Sequence, residues 1–326
     1  SAASDVYKRQ LSPSRSAEDR AKDQRRPLRI LMTWRPEAAG NETADMVAWL
    51  ARTQPVQVRT ATVIPRVWAQ QPSAAPDEEY ESWLDEETHQ CIRAAQSSLM
   101  AAGLPADMLD VDETSVVTHA SSETGQLIQA AQDFDADLMV IGSHPSAQRG
   151  RFSIGSTADA LLHCSPFPLG LATRNAKLSK RGVTRVNCAY VDTEQSHQAL
   201  RHAADLAARW NVPLRLVAFS PRGATMYPTQ VPFDRASMMV EWREQALALL
   251  DRGRDRAQSR HPNLSVQTET GSGYGWSGAV NAMKWKKGDL LVVGSSVLGE
   301  HNRVFIGPST NQIVRHSPVP VVMSPV

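Results

Sequence analysis

Short apolar runs alternate with longer stretches in which apolar residues recur every three or four positions, from residue 28 to the end of the chain. Apolar runs of four to eight residues bounded by polar turns read as strands buried on both faces, and the three-to-four spacing reads as the helices that cover them. In the first half the pattern predicts strands at 28–34, 56–64, 108–119, 138–142 and 169–173, with helices at 42–52, 77–102, 123–134 and 156–164. In the second half it predicts strands at 186–191, 214–219, 264–270, 290–294 and 319–323, with the clearest helices at 196–210 and 237–260. Ala199, Leu200, Ala203, Leu206, Ala207 and Trp210 form one apolar stripe on the first of those two helices. Such alternation predicts an α/β fold, a parallel sheet wound both ways from its first strand by right-handed crossovers.

The pattern also repeats itself. DLMVIGSH at 137–144 and DLLVVGSS at 289–296 stand 152 residues apart, and the same offset pairs Gly142 with Gly294, Arg151 with Arg303, Ile154 with Ile306 and Gly155 with Gly307. It also pairs SPFP at 165–168 with SPVP at 317–320. A shared helix-strand grammar does not hold register over so many special positions, so the chain reads as a duplication. The expected organisation is a tail at 1–26, a first domain at 27–174, a linker at 175–182 and a second domain at 183–326, each domain a doubly wound, Rossmann-like five-stranded parallel sheet.

Composition narrows the partners. Lys plus Arg (35) nearly equal Asp plus Glu (34), so a net charge of +1 makes no case for nucleic acid. No apolar run is long enough to cross a bilayer and no leader precedes the first predicted strand, so neither a membrane nor export is expected. Cys91, Cys164 and Cys188 lack ligand spacing and read as reduced, mostly buried thiols of a cytoplasmic protein. The tail is polar and without apolar period, and is expected to be disordered. Its segment 5–10, DVYKRQ, resembles the translation of a transposon-end sequencing adapter and is expected not to belong to the natural protein. The basic residues Arg20, Lys22, Arg25 and Arg26 are diluted by Glu18, Asp19 and Asp23, and read as a solvated tail rather than a nucleic-acid arm.

The chemistry sits after the fourth strand of each repeat. GSHPSAQRGRFSIGST at 142–157 runs from a strand-ending glycine through a loop to a Gly-Ser-Thr helix start. Glycine lets backbone approach a ligand, the open N–H groups of a helix start favour anions, and the hydroxyls add donors. Beyond the carboxyl end of a parallel sheet, this reads as a phosphate cradle. The candidate binding residues are Gly142, Ser143, His144, Arg149, Arg151, Gly155, Ser156 and Thr157, and in the second repeat Gly294, Ser295, Arg303, Gly307, Ser309 and Thr310. The plainer alternatives stay open: Gly155-Ser156-Thr157 as a self-capped helix start, and Arg149 and Arg151 as a solvated loop. Trp34 beside Trp49 reads either as core or as a stacking wall, and 271–278 either as a mobile lip or as a long lead into a helix. His119, His144 and His163 show no metal spacing, and no Ser or Cys is paired with a positioned base, so neither metal site nor catalytic residue is expected.

These segments resemble the universal stress protein family, of the adenine-nucleotide alpha hydrolase-like fold, whose nucleotide-binding members carry G-x2-G-x9-G-[ST] here. The closing segments HCSPFPLGLA and RHSPVPVVM share the resemblance. It implies a stress-response regulatory protein, not an enzyme, that binds ATP or another adenine nucleotide, with or without Mg²⁺, in at least one half. It further implies an Asp at the end of the first strand near the adenosine; Asp192 matches in the second repeat, while Arg35 stands there in the first. Asp192 reads equally as the cap of the following helix. Pro145 and Val297 replace the second glycine of the motif, and Pro308 replaces the Ser/Thr of the second copy. These departures leave open a nucleotide-free interaction or scaffold protein of the same fold. Because the last strand commonly mediates dimer contact in this family, the two final strands are expected to pair as an intramolecular pseudo-dimer, open to a further homodimer and to protein partners.

Overall fold

Apolar runs with no polar face become strands, and in the first half β1 (Leu28–Thr33), β2 (Val56–Pro65), β3 (Ser115–Ala120) and β4 (Leu138–Gly142) do so. Helices α1 (Glu42–Ala51), α2 (Glu78–Ala101) and α3 (Glu123–Asp133) connect them. The computed structural model describes residues 26–35, 40–65, 78–120, 122–222, 235–296 and 303–325. The expectations for the tail up to Arg25 and for Val297 lie outside them. In this half the strands run β3-β2-β1-β4, and each of those pairs is parallel.

The remaining elements are α4 (Ser156–Cys164), β5 (Leu169–Ala172), β6 (Arg185–Ala189), α5 (Glu194–Trp210), β7 (Leu214–Arg222) and α6 (Arg235–Arg260). After them come β8 (Val266–Tyr274), α7 (Gly275–Asn281), β9 (Asp289–Gly294), α8 (Pro308–His316) and β10 (Val321–Ser324). Their strands run β5-β10-β9-β6-β7-β8. Every pair is parallel except β5 with β10, which is antiparallel with Leu171 opposite Val321 and Leu169 opposite Met323. The two final strands therefore lie against each other, as expected, and neither presents a bare edge there.

Chain contacts divide the molecule into two compact units between Gly142 and Ser143. The repeat does not divide there: the closing piece of the first copy, 143–174, belongs to the unit that holds the second. The cause is the β5–β10 ladder, together with bonds from the Val304 and Ile306 N–H groups to the carbonyls of Ser165 and Leu162.

Two expectations need correction, and one open alternative takes a definite form. The strand expected at 108–119 begins only at Ser115, because Ala106–Met108 form a 3-10 turn and Asp110 is buried to hold Arg59, its Oδ2 2.9 Å from the guanidinium Nε. The glycine run 271–278 takes the second of its two readings, the lead into a helix. It carries β8 into α7, and a Cβ on Gly273 would lie 2.3 Å from the Gly278 carbonyl carbon, so only glycine allows this approach of strand and helix. On α5, Ala204 joins the buried stripe while Leu206 and Trp210 are half-buried. Trp49 is wholly buried core. All three thiols are free; Cys91 and Cys188 are buried, and burial pushes the Cys188 thiol up to about 12. Among the described residues no helix is long and apolar enough to cross a membrane.

Candidate functional site

In the second repeat the chain winds outward from β6 through β7 to β8 on one side, and through β9 to β10 on the other. The crevice at such a switch point, at the carboxyl ends of β6 and β9, is where doubly wound sheets bind ligands. Asp192 follows β6 there, and Gly294 ends β9. A Cβ on Gly294 would stand 2.8 Å from the Gln195 carbonyl oxygen, so glycine lets α5 sit close against the strand end.

Ser295 and its counterpart Ser143 do the same local work. The Ser143 Oγ accepts from the Ser153 N–H at 2.8 Å, and the Ser295 Oγ accepts from the Phe305 N–H at 3.3 Å. The Ser295 hydroxyl also donates to the Ser324 carbonyl at 2.9 Å. The His144 N–H bonds the Ser153 carbonyl and the Ser296 N–H bonds the Phe305 carbonyl, so each hydroxyl braces the root of its loop. These bonds commit the two serines to holding the loop shut at its base.

At the far end of each loop a glycine starts a helix. Gly155 is the N-cap of α4 and Gly307 that of α8, both in extended backbone, and as glycines neither offers a capping side chain. The first-turn N–H groups of Ser156 and Thr157, and those of Ser309 and Thr310, precede the first intrahelical bonds, which run from Asp159 to Gly155 and from Asn311 to Gly307. A Cβ on Gly307 would fall 2.9 Å from the Ser296 side chain; one on Gly155 would touch the His144 ring at 3.4 Å. His144 thus lies against the start of α4, its Nδ1 bonded to Ser146. Pro308 takes the first helical position of α8 and removes one N–H, whereas α8 has no acidic residue in its first turn and α4 carries Asp159 there.

Other candidates turn elsewhere. Pro145 is the second residue of a turn closed by the Ala147 N–H on the His144 carbonyl, a position its fixed φ suits. Arg149 is exposed. Arg151 points to Asn281 on α7, its Nη2 3.1 Å from the amide oxygen, and burial lowers its ordinary pKa. Arg303 is exposed and sits where its charge opposes the upward push of burial on the Cys164 thiol. In the first repeat Arg35 forms a two-pronged pair with Glu123 at the start of α3, with Nε to Oε1 at 2.9 Å.

Asp192 does not cap α5. Thr193 does, its hydroxyl accepting from the Ser196 N–H, because its extended backbone aims Oγ1 at that amide. Asp192 instead meets His197 Nε2 at 3.1 Å, Arg252 at 3.7 Å and Arg256 at 3.8 Å. Arg256 is held in turn by the hydroxyl of Tyr190 at 2.9 Å, and burial outweighs this arginine in raising the tyrosine pKa. Sequence reasoning missed Tyr190, His197, Arg252 and Arg256. The one available signal was the four-residue spacing of the two arginines, which puts them on one helix face.

The model of the universal stress protein family matches residues 17–171 and again 182–325. Universal stress proteins of Mycobacterium tuberculosis and Mycobacterium bovis are 33% identical over 299 residues, covering 91% of this chain and all of theirs. A solved universal stress protein from Archaeoglobus fulgidus shares the fold at a TM-score of 0.60 and 15% identity, covering 91% of this chain and 98% of its own. Two Gly-started helices at one offset, two braced loops and two family matches lead to one conclusion: the chain belongs to the universal stress protein family, in tandem form.

Proposed function

We propose that this protein is a stress-response regulator that holds an adenine nucleotide in at least one repeat and acts through protein partners rather than by turnover. The observation that carries the reading is the pair of helices that start on a glycine N-cap in extended backbone, beyond the carboxyl end of the sheet. Open N–H groups at a helix start suit a phosphate, and the close approach of loop and helix needs the glycine. Ser156, Thr157, Ser309 and Thr310 would face the phosphates, and Asp192 the ribose once His197 and the arginines release it. Gly142 and Gly294 would serve by close packing, and Ser143 and Ser295 by bracing the loop. His144, Arg149, Arg151 and Arg303 would act from the loops around the cradle. Where ATP is bound, Mg²⁺ would offset part of the phosphate charge. The reading takes 27–174 and 183–326 as the two domains, paired as an intramolecular pseudo-dimer in a cytoplasmic protein.

Native mass spectrometry of freshly purified protein, followed by calorimetric titration with ATP, ADP and AMP, tests it. Gly155→Val and Gly307→Val should each remove the site they block. Absence of any bound or titratable nucleotide would reject the reading.

A second reading, a nucleotide-free interaction protein, draws on the same geometry. Arg35 is satisfied by Glu123, Asp192 by His197 and two arginines, and Pro308 removes an amide. Failure of all three nucleotides to bind makes it the leading one.

A further inference from the structure

The second motif loop grips the far end of the first repeat's motif helix, and the first loop reaches α8 by way of α7. The returning limb of the second loop lies along the last turn of α4: the Val304 N–H donates to the Ser165 carbonyl at 2.7 Å and the Ile306 N–H to the Leu162 carbonyl at 2.8 Å. Between them the ring of Phe305 meets His163 edge-on, with centroids 5.0 Å apart and planes at 89°. The carbonyls at the end of α4 thus find their partners in the loop that leads into α8.

The first loop reaches back through a side chain. Arg151 bonds Asn281 at the end of α7, which packs on α8, and its charge helps to lower the pKa of His316 at the end of α8. A cation at a helix C-terminus is favourable. A second route joins the loops through the sheet. The Gly150 N–H donates to the Arg174 carbonyl, the Arg174 N–H to the Arg151 carbonyl, and Arg174 Nη1 to the Ala147 carbonyl. Arg174 follows β5, β5 pairs with β10, and the Ser324 carbonyl of β10 receives the Ser295 hydroxyl at the root of the second loop.

Gly155 and Gly307 thus begin two helices of nine residues each; the end of α4 is held by the second loop, and α8 is joined to the first loop through Arg151, Asn281 and the packing of α7. A short helix moves as a unit, so a displacement at one start is delivered to the opposite loop. We propose that Arg151 and Phe305 are positioning residues that couple the two cradles, so that filling one changes the affinity of the other. This rests on the nucleotide reading above. By linkage the effect is reciprocal, and coupling of this kind changes affinity by about fivefold or more.

Amide hydrogen exchange on the full chain tests the coupling with and without nucleotide. Without ligand, Phe305→Ala should raise exchange across the first loop, residues 144–155, although its ring contacts His163 rather than that loop. Arg151→Ala should loosen 303–307, while Phe305→Tyr, which keeps the ring, should match wild type and α3 should stay unchanged in all variants. Acceleration that stops at the last turn of α4 overturns the proposal. With ATP added, Gly155→Val should shift the affinity read from protection of 307–311 by about fivefold or more. An unshifted affinity, with clear protection, also overturns it. If wild type shows no protection by ATP anywhere, the nucleotide reading falls by itself, and the ligand-free exchange alone decides whether the loops are coupled.

Discussion

Arg215 on β7 donates from Nε to the Asn187 side-chain oxygen on β6 at 2.6 Å, between two residues that face each other in the strand register. Both are buried, and Arg215 also meets Glu269 at 2.7 Å and lies over the Trp285 ring at 5.1 Å. The first repeat has the same device: Arg59 opposes Leu31 as Arg215 opposes Asn187, lies 4.7 Å from the Phe134 ring and is held by buried Asp110. A buried arginine under an aromatic ring therefore pins the sheet in both copies.

Arg215→Ala should destabilise the fold by about 3 kcal/mol, since removing one member of a buried charged network strands the others. Arg215→Met should cost clearly less, because it refills the volume beneath Trp285. Denaturant unfolding at neutral pH measures both; equal losses would show that charge and not packing is what the arginine supplies.

Most of the architecture could be read from apolar periodicity and the 152-residue offset, because both are local patterns that survive along the chain. The start of the third strand could not. Leu109 looks like strand, yet it makes only an isolated bridge to Val58, and the turn around it exists to bury Asp110 against Arg59, about fifty residues away. Asp192 was visible as a candidate, but its partners Arg252 and Arg256 come from a helix sixty residues on. The hydroxyls of Ser143 and Ser295 looked available to a ligand until the returning limbs of their loops supplied Ser153 and Phe305 as partners.

Those serines make a direct prediction. Ser295→Ala removes an acceptor for the Phe305 N–H and a donor to the Ser324 carbonyl, and should lower stability by about 1–2 kcal/mol in denaturant unfolding. Ser295→Gly should do no better, because the loss is of the hydroxyl and not of space. An unchanged unfolding midpoint for both variants would mean that the hydroxyl does not brace the loop.

Acid should weaken the fold. The His202 imidazole is held below its ordinary pKa by burial, with Asp205 acting the other way, and His316 is lowered by burial and then by Arg151 and Arg315. Groups depressed in the fold bind fewer protons there than in the unfolded chain, so stability rises with pH through this range. The contribution is intact above the ordinary imidazole value of about 6.5 and is lost as pH falls through the lower folded values. Thermal midpoints should therefore drop below about pH 6.5, and His202→Gln should flatten that drop while keeping a polar partner for Ser324, whose hydroxyl lies 2.5 Å from Nδ1. An identical slope in the variant would remove His202 from the account.

Pro308 is the sharpest departure from the first copy, because the two helix starts share their glycine N-cap and its backbone. Gly155 and Gly307 share extended backbone and offer no capping side chain of their own, but α4 opens on Ser156, with an N–H and a hydroxyl, and α8 opens on proline, with neither. Pro308→Ser returns both donors to a helix start that has no acidic residue in its first turn to repel an anion. One charge-assisted bond to a phosphate contributes about 1.5–3 kcal/mol, so ATP affinity at the second cradle should rise by about ten- to a hundredfold. The variant gives up proline's preference for the first helical position and the stiffness it lends the unfolded chain, which should cost no more than about 1 kcal/mol of stability. Calorimetric titration of Pro308→Ser beside Pro308→Ala separates the donors: alanine restores the N–H alone and should recover only part of the gain. Gly155→Val in the same background removes the first cradle from the signal. Unchanged affinity in both variants, with the fold intact, would mean that no phosphate meets the start of α8, and the nucleotide reading would then rest on the first repeat alone.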